Sequence, residues 1–214
     1  MSESTDTRRI FLYSRFERIN HWVQAALVLT LLVTGFEIHG TYSLLGFETA
    51  FDVHNFCAWT WLVLFIFDIF YLAVTGEWRQ YTPTLRKLYD VMHYYMIGIF
   101  RGEPHPVPKS ERAKHNPLQR LTYLGIVSVL IPFQMITGFL YYYYNDWAAI
   151  GLEGLGLGFM AALHTIGAFA FLVFLIVHVY MTTTGHTVFC HIKAMCTGWE
   201  EVEGACAAEE RAST

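Results

Sequence analysis

Residues 163–180 read LHTIGAFAFLVFLIVHVY, and the two histidines in this stretch decide how the chain is read. His164 and His178 are fourteen residues apart. In a helix that interval spans about 21 Å of axis. At 3.6 residues per turn it falls within about 40° of a whole number of turns, so both imidazoles leave nearly the same face. Almost everything between them is apolar. Two imidazoles on one face, one toward each end of an apolar helix, suggest two stacked cofactors.

Working outward, the 214-residue chain is 54% hydrophobic, 17% aromatic and only 15% charged. Four apolar windows stand out, at residues 19–36, 56–74, 121–144 and 159–181. Each is long enough, or nearly so, to cross about 30 Å of hydrocarbon as a helix. A backbone in lipid must satisfy its own hydrogen bonds, so helices are the expected form. The expected architecture is an all-α membrane protein with four transmembrane helices in a bundle. The formal net charge of -4 says little by itself, because the signs are segregated. Arg8, Arg9, Arg15 and Arg18 precede the first window. Arg79, Arg86, Lys87, Arg101, Lys109, Arg112, Lys114 and Arg120 lie between the second and third, and Lys193 and Arg211 follow the fourth. Residues 37–55 and 145–158 contain no Lys or Arg. The positive-inside rule therefore predicts a multi-pass protein of the bacterial cytoplasmic (inner) membrane, with both termini and the long middle loop cytoplasmic. The first window lacks the usual small-residue cleavage site and reads as a retained span.

In chain order, residues 1–14 read as a polar tail, 15–200 as the membrane domain and 201–214 as a second tail. RFERINHW leads into the first span, and Arg15 and Arg18 can snorkel to the headgroups. His21 lies just inside that span, with Gly35 fourteen residues on, where it serves helix packing or makes room for a flat cofactor. His54 opens the second span, and Asp68 follows it by fourteen residues on the same face. A carboxylate at that depth is costly if unpaired; it bonds a cofactor edge or ligand, carries protons, or reaches the interface. Residues 88–100 read as an interfacial helix containing His93. EPHPVP, with His105, reads as a stiff surface segment. Pro117 suits a first helical turn, and Pro132 predicts a kink or local loosening in span three. Tyr141 to Tyr144 and Trp147 form an aromatic belt. His186 and His191 read as surface residues. Cys57, Cys190, Cys196 and Cys206 read as free thiols, because no C-x-x-C-H or standard zinc spacing is present.

Alternating spans put His21 and His178 at one depth, and His54 and His164 at the other. Two bis-histidine sites about 20 Å apart follow from the helical rise. Imidazole suits iron, and two axial histidines close both coordination positions, which favours electron transfer. The cofactors expected are two haem b, with metal ligands His21, His54, His164 and His178. Arg15 and Arg18 are candidate propionate partners at the His21/His178 site. Each histidine taken alone is also explained by packing or an interhelical hydrogen bond. Zinc and a proton channel are weaker alternatives, since no compact cluster accompanies the histidines and a channel does not require the pairing.

RFERINHW, His54, KHNPLQRLTY and LHTIGAFAFLVFLIVHVY together resemble the di-haem cytochrome b subunits of nickel-iron hydrogenases, respiratory formate dehydrogenases and thiosulfate reductases, over about residues 13–200. The resemblance implies four helices holding two b haems, with both span-four histidines as ligands to different haems. It implies a quinone, menaquinone or ubiquinone, near the inner haem. Asn116 matches the asparagine that helps bind quinone in those relatives, and His115 replaces the tyrosine common in that motif. His115, His93 and Asp68 are candidates for quinone protonation. Partners implied are quinone or quinol, membrane lipid, and iron-sulfur, multihaem or metalloenzyme catalytic subunits on the periplasmic side. Nucleic acid is not among them, and a homo-oligomer of the whole complex is compatible. The function expected is transmembrane electron transfer as a quinone-reactive subunit of an oxidoreductase complex, with substrate catalysis in another subunit. The alternatives are a stand-alone haem-containing transmembrane reductase and a haem-free anchor or transporter.

Overall fold

The computed structural model describes residues 7–103, 105–107, 114–185 and 187–203. Pro104, Pro108, Lys109, Arg112, His186, Cys206 and Arg211, all used in reading the sequence, lie outside the described residues, as do most of the two expected tails.

Among the described residues, four segments are long and apolar enough to cross a membrane. They are α1 (Arg15–Ile38), α2 (Phe47–Thr75), a third segment over Pro117–Tyr142, and α6 (Leu157–Thr182). The third is α4 (Pro117–Gly125), one π-helical stretch at Ile126–Leu130 and α5 (Ile131–Tyr142). The loosening expected at Pro132 takes this form. Proline lacks an N–H, and its ring collides with the carbonyl four residues back, so the wider i to i+5 spacing just before it relieves the clash.

The chain divides into two compact units. One comprises Trp22–Pro83 and Arg120–Val177. Its core is Leu27, Leu32, Cys57, Trp61, Ile131 and Phe171, with the Trp61 and Phe171 rings edge to face at 5.5 Å. On α2 the buried positions are Ala50, Cys57 and Trp61; on α6 they are Met160, Gly167 and Phe171. Both sets step by seven and then four residues, which keeps them on one helical face. The opposite stripes, Phe56, Val63 and Phe70 on α2 and Phe159, Ile166 and Val173 on α6, are exposed. Such apolar ridges are a liability in water and the ordinary surface of a helix in lipid. The loop from α1 to α2 is held by Glu37, whose Oε1 accepts from the backbone N–H of Leu44, Leu45 and Gly46 at 2.6, 2.6 and 2.8 Å. α2 ends at Gly76, whose φ of 73° is the left-handed conformation glycine adopts freely.

The other unit comprises Met1–His21, Thr84–Gln119 and His178–Thr214. Residues 7–11, read from the sequence as part of a polar tail, form strand β1 (Thr7–Phe11). It pairs antiparallel with β2 (Trp199–Glu203), Phe11 opposite Trp199. Ile10 and Leu12 are buried while Arg9 and Phe11 are exposed, the alternation of a half-buried strand. The single interfacial helix expected over 88–100 is instead two pieces. α3 (Leu88–Met96) stops where Ile97 turns to a φ of -134°, and a 3-10 turn follows at Gly98–Arg101. α7 (Cys190–Thr197) completes the unit.

Candidate functional site

His54 on α2 and His164 on α6 face each other with ring centroids 6.3 Å apart and planes at 76°. Each is held by a threonine from the preceding span. Thr34 Oγ1 lies 2.9 Å from His54 Nδ1, and Thr137 Oγ1 lies 3.2 Å from His164 Nδ1. The threonines are only 1% and 4% exposed, so their hydrogen bonds must be found within the protein. Beside each stands a glycine. A Cβ on Gly35 would lie 3.3 Å from His54 Cε1, and one on Gly138 only 2.9 Å from His164 Cε1. Gly35 therefore makes room for an imidazole. On the far side of His164, the Gln134 amide donates to Nε2 at 3.2 Å.

His21 on α1 and His178 on α6 also lie side by side, with ring centroids 6.0 Å apart and planes at 53°. Their surroundings are more polar. Glu17 accepts from Lys114 Nζ at 2.8 Å. Arg18 donates through Nη1 to the Cys196 carbonyl at 2.5 Å and through Nε to the Ser14 carbonyl at 3.4 Å. Arg18 thus ties the start of α1 to α7, while Arg15 is exposed. At metal–nitrogen distances of about 2 Å, two imidazoles sharing one metal have centroids about 6 Å apart. Both pairs fit that spacing.

Asn116 is buried and caps α4. Its Oδ1 accepts from Gln119 N–H at 2.9 Å, and Gln119 Oε1 accepts from Asn116 N–H at 2.9 Å. With Pro117 at the first helical position, this is a reciprocal capping box. Asn116 Nδ2 donates to the Tyr95 hydroxyl at 3.2 Å, and that hydroxyl lies 3.3 Å from His105 Nε2. The neighbouring His115 is half-buried. His93 lines a cavity of about 320 Å³ with Tyr89, Asp90, Tyr94, Glu103 and Pro106. Burial there pushes the Tyr94 phenol above its ordinary value. Asp68 accepts from Gln24 Nε2 at 2.6 Å, and Trp61 Nε1 donates to Gln24 Oε1 at 3.4 Å. His191 pairs with Glu200 at 3.2 Å. Among the described residues no three His, Cys, Asp or Glu side chains converge on one point; the donors come in twos.

Reading the sequence did not single out Thr34, Thr137, Gln134 or Gln24. A signal was present: Thr-Gly-Phe occurs at 34–36 and again at 137–139. A tripeptide repeated in the first and third spans marks equivalent positions on two hairpins.

The family model of prokaryotic cytochrome b561 matches residues 12–198. The chain is 30% identical over 199 residues to the putative cytochrome YdhU of Escherichia coli strain K12, covering 89% of this chain and 74% of that protein. It is 27% identical over 195 residues to the probable Ni/Fe-hydrogenase B-type cytochrome subunit of Rhodobacter capsulatus, covering 80% and 72% of the two. No solved structure matches the chain. With four helices able to span a bilayer and two facing histidine pairs, the chain belongs to the prokaryotic cytochrome b561 family and is a membrane-embedded cytochrome b of electron transfer.

Proposed function

We propose that this chain carries electrons across the inner membrane between a periplasmic-side redox partner and the quinone pool, with both termini cytoplasmic. The observation that carries the reading is the two imidazole pairs at 6.0 and 6.3 Å, both using a histidine of the continuous helix α6. His54 and His164 would hold one haem b, and His21 and His178 a second. Haem, when bound, would supply one-electron chemistry, and two histidines holding its iron would leave no open position for substrate. The remaining work belongs to the chain. Apolar spans exclude water from the imidazoles, and buried partners orient them.

At the His21/His178 site, exposed Arg15 is the freer propionate partner, since Arg18 already spends two donors on backbone carbonyls. A guanidinium carries five N–H groups, so Arg18 retains others to offer. Asn116 and His115 are the proposed quinone contacts. Asn116 Oδ1 is committed to the helix cap, which leaves Nδ2, now on Tyr95, as the group to turn toward a quinone carbonyl. The partner would be an iron-sulfur, multihaem or metalloenzyme subunit that performs the substrate chemistry. The reading draws support from the relative named as a hydrogenase cytochrome subunit.

The first test is a dithionite-reduced minus oxidised optical spectrum of the detergent-purified chain, with haem quantified per polypeptide. A b-type α-band and two haems per chain are expected. One haem breaks the two-site assignment, and none removes the electron-transfer reading of these histidines.

A further inference from the structure

The two helical hairpins present the same construction to His54 and His164. Thr34 and Gly35 stand against His54, and Thr137 and Gly138 against His164. The repeat extends along the second helix of each hairpin. Adding 110 to Ala50, His54, Cys57 and Trp61 gives Met160, His164, Gly167 and Phe171, which are the buried positions and the histidine of α6.

Each threonine hydroxyl has one proton, and the helix takes it. Thr34 Oγ1 donates to the Thr30 carbonyl at 2.7 Å, and Thr137 Oγ1 to the Phe133 carbonyl at 2.8 Å. Both then have only lone pairs for the imidazole. The ring nitrogen facing them, Nδ1, must carry the hydrogen and donate it. With the hydrogen on Nδ1, the lone pair is on Nε2. At His164 this agrees with the Gln134 amide that donates to Nε2.

We propose that Thr34 and Thr137 are positioning residues, a duplicated cradle that locks His54 and His164 in the Nε2-ligating tautomer, with Gly35 and Gly138 admitting the rings. The proposal rests on the assignment of these histidines as axial ligands. The cradle sets ring orientation as well as tautomer, since each threonine hydroxyl is itself fixed by its bond to the helix carbonyl four residues back.

The test uses the full-length haem-loaded protein in detergent. Thr34→Val and Thr137→Val delete each hydroxyl at nearly constant shape, and Thr34→Ser and Thr137→Ser keep it. Three quantities are read: haem per chain, the rate of haem loss to an excess soluble haem acceptor, and the electron paramagnetic resonance spectrum of the oxidised protein. One haem is expected to be held about 10- to 100-fold more weakly in each valine variant, the usual effect of losing a partner behind a metal-bound imidazole. Its low-spin signal shifts, the other haem is unchanged, and serine restores both readouts. Should valine prevent accumulation, the alanine versions remove the hydroxyl without adding bulk and are read in the same way. Valine and alanine variants indistinguishable from the parent overturn the cradle. Retention of both haems in His164→Ala overturns the ligand assignment beneath it. Loss of one haem in His164→Ala, with unchanged threonine variants, overturns the cradle alone.

Discussion

The two histidine pairs have nearly the same ring separation and quite different surroundings. Around His54 and His164 the partners are neutral: two buried threonines, one glutamine amide and two glycines. Around His21 and His178 the same region carries the Glu17–Lys114 ion pair and an arginine bonded to backbone carbonyls. The difference lies in what stands beside each pair. In apolar surroundings a charge is expensive, whereas a hydroxyl already bonded to its own helix adds none, so neutral groups orient His54 and His164. In the unit that holds His21 and His178, the charges of Glu17, Lys114 and Arg18 are paired with one another or with backbone carbonyls.

The largest effect that can break this comparison comes from the shared helix. His164→Ala and His178→Ala should each lower the haem content from two to one per chain, each removing a different haem. Spectra of the two variants that sum to the parent spectrum support two independent sites; loss of both haems in either variant denies it. Next, Gly138→Ala should loosen the haem of the threonine-held site more than Gly35→Ala, because the added methyl lies 2.9 Å from Cε1 in one case and 3.3 Å in the other. Equal haem-loss rates would show that the rings move aside freely and that the close fit is not a constraint.

Smaller effects probe the polar bonds that bridge helices. Gln24→Leu removes a donor from Asp68 and should destabilise the protein by about 1–3 kcal/mol, measured by unfolding in mixed detergent. The double variant Gln24→Leu with Asp68→Leu should recover part of that loss, since no carboxylate is then short of a donor while Trp61 Nε1 still lacks its acceptor. In the other unit, Asn116→Ala should cost about 1 kcal/mol through loss of the cap on α4. Asn116→Asp should keep most of the stability while altering quinone reduction, which separates the capping role from the proposed quinone contact. Least of all, Arg9→Ala breaks an exposed ion pair with Glu201 at 3.0 Å and should change stability by less than about 1 kcal/mol. A larger loss would show that the β1–β2 pair anchors its unit more firmly than an exposed two-stranded sheet normally does.

Asp68 sharpens the comparison further. It stands fourteen residues after His54, as His178 stands fourteen after His164, so α2 and α6 repeat their spacing with a carboxylate in place of the second imidazole. The second ring at the His178 pair comes from His21 on α1 instead. The repeat is thus kept at one histidine pair and broken at the other, and Gln24 supplies the hydrogen bond that Asp68 needs at that depth.

Much of this was legible from residue spacing. Four apolar windows mapped onto four long helical segments, because hydropathy over about 20 residues is a sufficient description of what a bilayer demands. The fourteen-residue interval put two imidazoles on one face of α6, because helical geometry is local and periodic. Other features lay beyond spacing. β1 and β2 are short and separated by nearly the whole chain, so neither carries a strong local signal, and pairing alone gives them structure. The break after Met96 depended on the turn at Ile97 rather than on composition.

The sequence by itself determined the number of spans, the family, and which histidines share a helical face, since all three follow from pattern along one dimension. Only the tertiary structure decided which groups meet the imidazoles. A threonine hydroxyl 2.9 Å from a ring nitrogen, a glycine admitting that ring, and an asparagine spent on a helix cap depend on how separate helices are turned toward one another. That rotation is set by packing across the core, and no single segment contains it.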